Sequence, residues 1–160
     1  MDIKANDLLN KLRFINWDVL DLLKSYSQKT LSIEEYKKKL NIVNLLSGPV
    51  TEADIQINKI ILEGLDRLSN SQKWEFLSEE NIKDDKSFKY KSDWIWIIDP
   101  LDGTKDFIQN TGEYAVHIAL TYKKKIILGT VLIPDKNELW IYQDGIGSWC
   151  ESRNGEKLRF

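Results

Sequence analysis

Asp99-Pro100-Leu101-Asp102-Gly103-Thr104 places two carboxylates three residues apart directly after the apolar run Trp94-Ile95-Trp96-Ile97-Ile98. The run reads as a buried strand, so the carboxylates stand where a strand ends and the backbone turns. Pro100 has no N–H to continue a ladder, and Gly103 admits a backbone angle that other residues resist. Such a bend can aim Asp99, Asp102 and the Leu101 carbonyl at one point. Those are three hard oxygen ligands for a magnesium-like ion, which keeps several waters for a phosphate to replace. The plainer reading of the same hexapeptide is a loop whose aspartates make Asx turns and cap the next segment.

Other residues carry chemistry only in company. Glu79, first of the pair Glu79-Glu80, closes an apolar segment from Trp74, where a solvated acidic loop end is the ordinary expectation. Thr51-Glu52-Ala53-Asp54 is spaced as a capping box, with Asp54 reaching back to the Thr51 amide, and a cap accounts for Asp54 without catalysis. Gly103-Thr104-Lys105 opens a segment read as helical through Phe107, and free N–H groups at a helix start favour anions. Lys105 adds positive charge there, although a surface lysine is the plainer expectation. His117 falls on the Ala115/Ala119 face of its strand and reads as a packed or hydrogen-bonded structural residue. Trp94 and Trp96 read as the core of a strand buried on both sides, not as a stacking platform.

The elements that must hold these groups follow from periodicity. Leu8, Leu12, Ile15, Val19 and Leu22 recur at helical spacing, predicting a long amphipathic helix over 5–26. Ser32-Ile33-Glu34-Glu35 is shaped like a capping box for a short helix. A second strong helix starts after Thr51, with Ile57, Ile61, Leu65 and Leu68 as its apolar stripe and Ser69-Asn70-Ser71 as its end. From Trp74 the period becomes that of strands: 74–77, 93–98, 113–122, 126–133, 138–142 and 147–151, with a charged loop over Asn81–Ser92. Pro134-Asp135-Lys136-Asn137 and Asp144-Gly145 mark turns, and Asn154-Gly155 is a hairpin signal. Helices first and then antiparallel strands make an α+β pattern, two main helices on one face of a largely antiparallel sheet. A length of 160 residues suits one domain over 1–160.

Composition excludes several functions. A net charge of −2 with mixed signs gives no electrostatic footprint for nucleic acid. The single cysteine, Cys150, forbids an internal disulfide and suits a reducing compartment. Nothing in sequence ties it to His117, the only histidine, so neither cysteine nucleophilic catalysis nor zinc is favoured. A metal would have to be held by carboxylates. The N-terminus shows no signal pattern, and no apolar run approaches the roughly 20 residues that cross a bilayer. No membrane association and a cytoplasmic location are the expectations.

Taken in order, Gly48-Pro49-Val50-Thr51-Glu52-Ala53-Asp54, Ser78-Glu79-Glu80, Asp99-Pro100-Leu101-Asp102-Gly103-Thr104, Lys105-Asp106-Phe107 and Gly112-Glu113-Tyr114 resemble the inositol monophosphatase superfamily of magnesium-dependent, lithium-sensitive phosphatases. Within it, Asp-Gly-Thr-Lys-Asp-Phe at 102–107 and the run 112–120 are similar to the CysQ-type 3'(2'),5'-bisphosphate nucleotidases. The resemblance covers the chain but about the first half of a typical member. It implies the N-terminal αβ portion of a layered αβαβα sandwich. It also implies two or three Mg2+ ions: Asp99 bridging two of them, Asp102 holding the second, and Glu79 with the Leu101 carbonyl completing the first. Asp54 and Thr104 would orient the attacking water, and Gly103, Thr104 and Lys105 would hold the substrate phosphate.

The family's later Trp-Asp motif and most of its substrate pocket have no counterpart here. Three readings follow. One is hydrolysis of 3'-phosphoadenosine 5'-phosphate in sulfur assimilation. Another is an inositol or sugar-phosphate monophosphatase. The third is an inactive metal-binding half acting as an interaction module. The expected partners are a small phosphorylated nucleotide or sugar and, because an apolar face would be left open, a second copy or a complementary C-terminal half.

Overall fold

The structure, a computed structural model, describes residues 5–26, 33–45, 48–68, 73–79 and 91–158. The capping residue Ser32, the helix end at Ser69-Asn70-Ser71, Glu80 and most of the expected loop over Asn81–Ser92 lie outside the described residues. Helix α1 (Ala5–Ser25) buries Leu8, Leu12, Ile15 and Val19 as its spacing predicts, together with Leu9, Leu20 and Leu23, while Leu22 is only partly buried. A short α2 (Ile33–Leu40) and a two-stranded ribbon, β1 (Val43–Leu45) with β2 (Gly48–Val50), lead into α3 (Glu52–Asp66). The ribbon has no hydrophobic alternation that would announce it. Helix α3 buries Ile57, Ile61 and Leu65; Leu68 lies past its end and packs against the core part-buried.

The main sheet has seven strands in chain order: β3 (Glu75–Ser78), β4 (Trp94–Asp102), β5 (Ala115–Tyr122), β6 (Lys125–Ile133), β7 (Glu138–Gln143), β8 (Gly147–Ser152) and β9 (Lys157–Leu158). Every neighbouring pair is antiparallel except β3 with β4, which is parallel. The α+β class and the largely antiparallel sheet are as expected, but the strand run is not wholly antiparallel. A parallel pair needs a long crossover, and the chain between Ser78 and Trp94 is long enough to supply one.

Two expectations about β4 are corrected. The strand does not stop at Ile98; it continues to Asp102, and the pairing with β5 shifts register between Asp99 and Asp102. Pro100 sits inside that irregularity, a kind of strand position that tolerates a missing N–H. Nor is β4 buried on both sides. Trp96 and Ile98 pack under α3, but Ile97 between them is 43% exposed. Helices α1 and α3 cover one face: Asn16 donates from α1 to the Thr130 hydroxyl on β6 at 3.1 Å. The opposite face forms an open trough of about 560 Å³ lined by Ile97, Ala119, Ile126, Val131 and Trp140 and running up to Asp99 and His117. No described helix is long and apolar enough to cross a membrane.

Candidate active site

Strands β3 and β4 run parallel, so their C-terminal ends deliver side chains to the same edge of the sheet. Ser78 is level with Ile98, which sets the next residues, Glu79 and Asp99, side by side. Parallel neighbours lie about 4.8 Å apart, so the two carboxyls crowd each other. Burial, then the charge of Glu79 and a side-chain hydrogen bond with it, then the charge of Asp102, push the Asp99 carboxyl up to about 7. The Leu101 amide works the other way, donating to Asp99 Oδ1 at 3.2 Å. Across the strand pair, His117 faces Asp99, and its Nε2 stands 3.9 Å from Asp102 Oδ2. Sequence reading treats His117 as structural, and only the β4–β5 register reveals it beside two of the candidate ligands.

Gly103 follows β4 in a left-handed conformation, φ +84°, and caps the short helix α4 (Thr104–Gln109). A Cβ at Gly103 would come within 2.8 Å of the Glu113 carbonyl oxygen, so both the angle and the space select glycine. The tight turn brings the Thr104 hydroxyl back to the Leu101 carbonyl, 3.0 Å away. The same hydroxyl lies 3.1 Å from Asp54 Oδ1, a residue fifty positions earlier on α3.

Asp54 occupies the N3 position of α3 and closes the capping box with Thr51 that its spacing predicts. It is nonetheless buried at 2% exposure, and burial raises its carboxyl above the ordinary range against the opposing bonds from Thr51 and Thr104. Four residues on, Asn58 Oδ1 accepts from the Ser78 hydroxyl at 2.8 Å, which ties the same helix face to the residue before Glu79. One helix thus braces both sides of the site. The structure brings together Asp54, Thr104 and the Leu101 carbonyl, and separately Glu79, Asp99 and Asp102. Lys105 is exposed on the first turn of α4. Among the described residues, no three Asp, Glu, His or Cys side chains already close on one point as a complete metal cage.

The donor set fits a hard divalent cation. Adjacent carboxylates that cannot all ionise without repulsion are relieved by a shared positive charge, and every donor is oxygen. Asp99, Asp102, Glu79 and the Leu101 carbonyl would hold it.

The sequence model of the inositol monophosphatase family matches residues 11–160. The chain is 34% identical to the 3'(2'),5'-bisphosphate nucleotidase CysQ of Shigella flexneri over 88% of its own length and 56% of that protein's. It superposes on the suhB protein of Bartonella henselae with a TM-score of 0.69 at 26% identity, covering 96% of this chain and 54% of the other. CysQ of Bacteroides thetaiotaomicron gives 0.65 at 26% identity, covering 94% and 51%. The chain therefore spans about half the length of the relatives it matches.

Proposed function

The chain belongs to the inositol monophosphatase family, and we propose that its chemistry is the Mg2+-dependent hydrolysis of a phosphate monoester. The substrate we assign is 3'-phosphoadenosine 5'-phosphate, in sulfur assimilation and in the cytoplasm. The observation that carries the reading is the Asp54–Thr104–Leu101 constellation standing beside the crowded Glu79–Asp99 pair. Asp99, Asp102, Glu79 and the Leu101 carbonyl would hold two or three Mg2+ ions, which when bound would neutralise the phosphoryl oxygens and acidify a water for attack.

The chain's own groups do the rest. The Thr104 hydroxyl, held between Asp54 and the Leu101 carbonyl, accepts a proton from the attacking water as its own proton passes to Asp54 Oδ1, while the water oxygen bonds to phosphorus and the ester oxygen leaves, taking a proton from solvent. Burial suits Asp54 to that task by raising its basicity. Gly103, Thr104 and Lys105 hold the phosphate: the glycine lets the backbone approach closely, and the lysine adds charge. The nucleotide is preferred because Lys105 and Gly112-Glu113 match the nucleotidase pattern and the CysQ of Shigella flexneri bears that name. An inositol or sugar phosphate is the second reading, favoured by the family as a whole. Partners of the polypeptide itself are a second copy or a chain matching the relatives' remaining half.

Phosphate release from 3'-phosphoadenosine 5'-phosphate against an inositol and sugar phosphate panel tests the proposal. Turnover should be abolished in Asp99→Ala and suppressed by lithium. Undiminished turnover in the Asp99→Ala, Asp102→Ala double variant removes the mechanism. Calorimetric Mg2+ binding without turnover of any substrate assigns the chain to a metal-binding interaction module.

A further inference from the structure

We propose that Thr51 is a positioning residue, holding the Asp54 carboxylate in the orientation that reaches Thr104; the inference rests on the reading of Asp54 and Thr104 as the pair that orients the attacking water. Thr51 grips one oxygen of Asp54 twice. Its amide donates to Oδ2 at 2.8 Å, and its hydroxyl donates to the same atom at 2.5 Å. A carboxylate is planar, so fixing Oδ2 from two directions fixes where Oδ1 points. Oδ1 is the atom that accepts from the Thr104 hydroxyl at 3.1 Å.

Thr51 caps α3 and does one thing more: a cap does not require its hydroxyl proton, and here that proton goes to the Asp54 carboxylate. In a capping box the N-cap oxygen accepts from the N3 amide, and that bond satisfies an orphan donor of the first turn. Here the distance from the Asp54 amide to the Thr51 hydroxyl is 3.4 Å, long for an N–H···O bond. The hydroxyl's close contact is the one it donates to the carboxylate. The hydroxyl thus serves both, accepting from the first turn of the helix and donating its proton to the Asp54 side chain. Thr51 is itself 1% exposed, set between β2 and α3, so the grip has a rigid base. Sequence shows the Thr51–Asp54 spacing but not the Asp54–Thr104 contact that gives the spacing a second use.

The test uses the whole chain with Thr51→Val, which keeps volume without the oxygen, Thr51→Gly, which remains an adequate N-cap, and Thr51→Ser, which restores the hydroxyl. Turnover per folded molecule should fall at least about tenfold in the valine and glycine variants with KM changed less than about twofold, and serine should restore it. A double-mutant cycle in thermal midpoint with Thr104→Val needs no turnover. The loss caused by Thr104→Val should shrink by about half or more when Thr51 is already glycine, because Asp54 no longer faces Thr104. Additive midpoint shifts, or an unchanged kcat per folded molecule in Thr51→Gly, overturn the inference. A parent chain without turnover overturns only the catalytic reading of Asp54, and the cycle then decides for Thr51.

Discussion

Asp99 meets Glu79, the residue just past the end of β3, and lies near Asp102, and its carboxyl is pushed up to about 7, first by burial and then by those charges. The folded state therefore holds a proton that the unfolded chain, with an ordinary value of 3.8, releases earlier. Stability from this group is full below about pH 4 and is lost as pH rises through about 7. Asp54 shifts in the same direction. The lowered carboxyls of Asp21 and Asp144, hydrogen-bonded to Arg153 and Lys125, act in the opposite sense but only at the acid end, below their ordinary 3.8. With a chelator present, thermal midpoints should thus be lower at pH 8 than at pH 5.5, and Mg2+ should raise the pH 8 value. Asp99→Asn should flatten the profile and stabilise the metal-free protein at pH 8 while abolishing the Mg2+ response. Equal midpoints at both pH values in the parent would show that these carboxyls do not crowd. Of this site, the residue types and the turn at Gly103 are legible in sequence because they are local. The pairing of Glu79 with Asp99 is not, since it depends on how two distant strands register.

Helix α1 is fastened to the sheet by more than its apolar stripe. Arg13 Nε meets Glu151 Oε1 at 2.5 Å and its Nη2 meets Oε2 at 2.9 Å, a fork across α1 and β8, with the Trp149 indole also donating to Oε2. Glu151 is almost wholly buried. Removing its partner strands a charge, so Arg13→Ala should cost about 3 kcal/mol in chemical denaturation, while Arg13→Ala with Glu151→Leu should recover most of it. A loss near zero in the single variant would mean the fork contributes nothing. The element boundaries show the same division between local and distant causes. Helix α3 starts where Thr51 caps it, as its spacing predicts. Strand β4 overruns its expected end because pairing with β5 resumes beyond Pro100, and that resumption depends on a partner the local sequence does not contain.

For the molecule as a whole, the sheet face opposite α1 and α3 is the unusual feature. Ile97 and Ile126 are 43% and 49% exposed on it, beside Ala119, Val131 and Trp140, and the trough they form ends at Asp99. The chain spans about half the length of the relatives it matches. Contiguous apolar surface drives association. The isolated chain should self-associate at micromolar concentration and bind a hydrophobic dye, and Ile97→Lys with Ile126→Lys should suppress both without unfolding it. A clean monomer in sedimentation that binds no dye counts decisively against this.

By itself the sequence determined what neighbours along the chain can settle: the helical stripes of α1 and α3, the Thr51–Asp54 box, the tight turn at Gly103, and through the order of its motifs the family. These rest on interactions spanning a few residues, where covalent geometry does most of the selecting. Only the tertiary structure decided that β3 runs parallel to β4, that Asp54 reaches Thr104, that His117 stands beside Asp102, and that among the described residues one face of the sheet stays open. Each joins groups far apart in the chain, and which distant partners meet is set by how the whole core packs, not by any local preference.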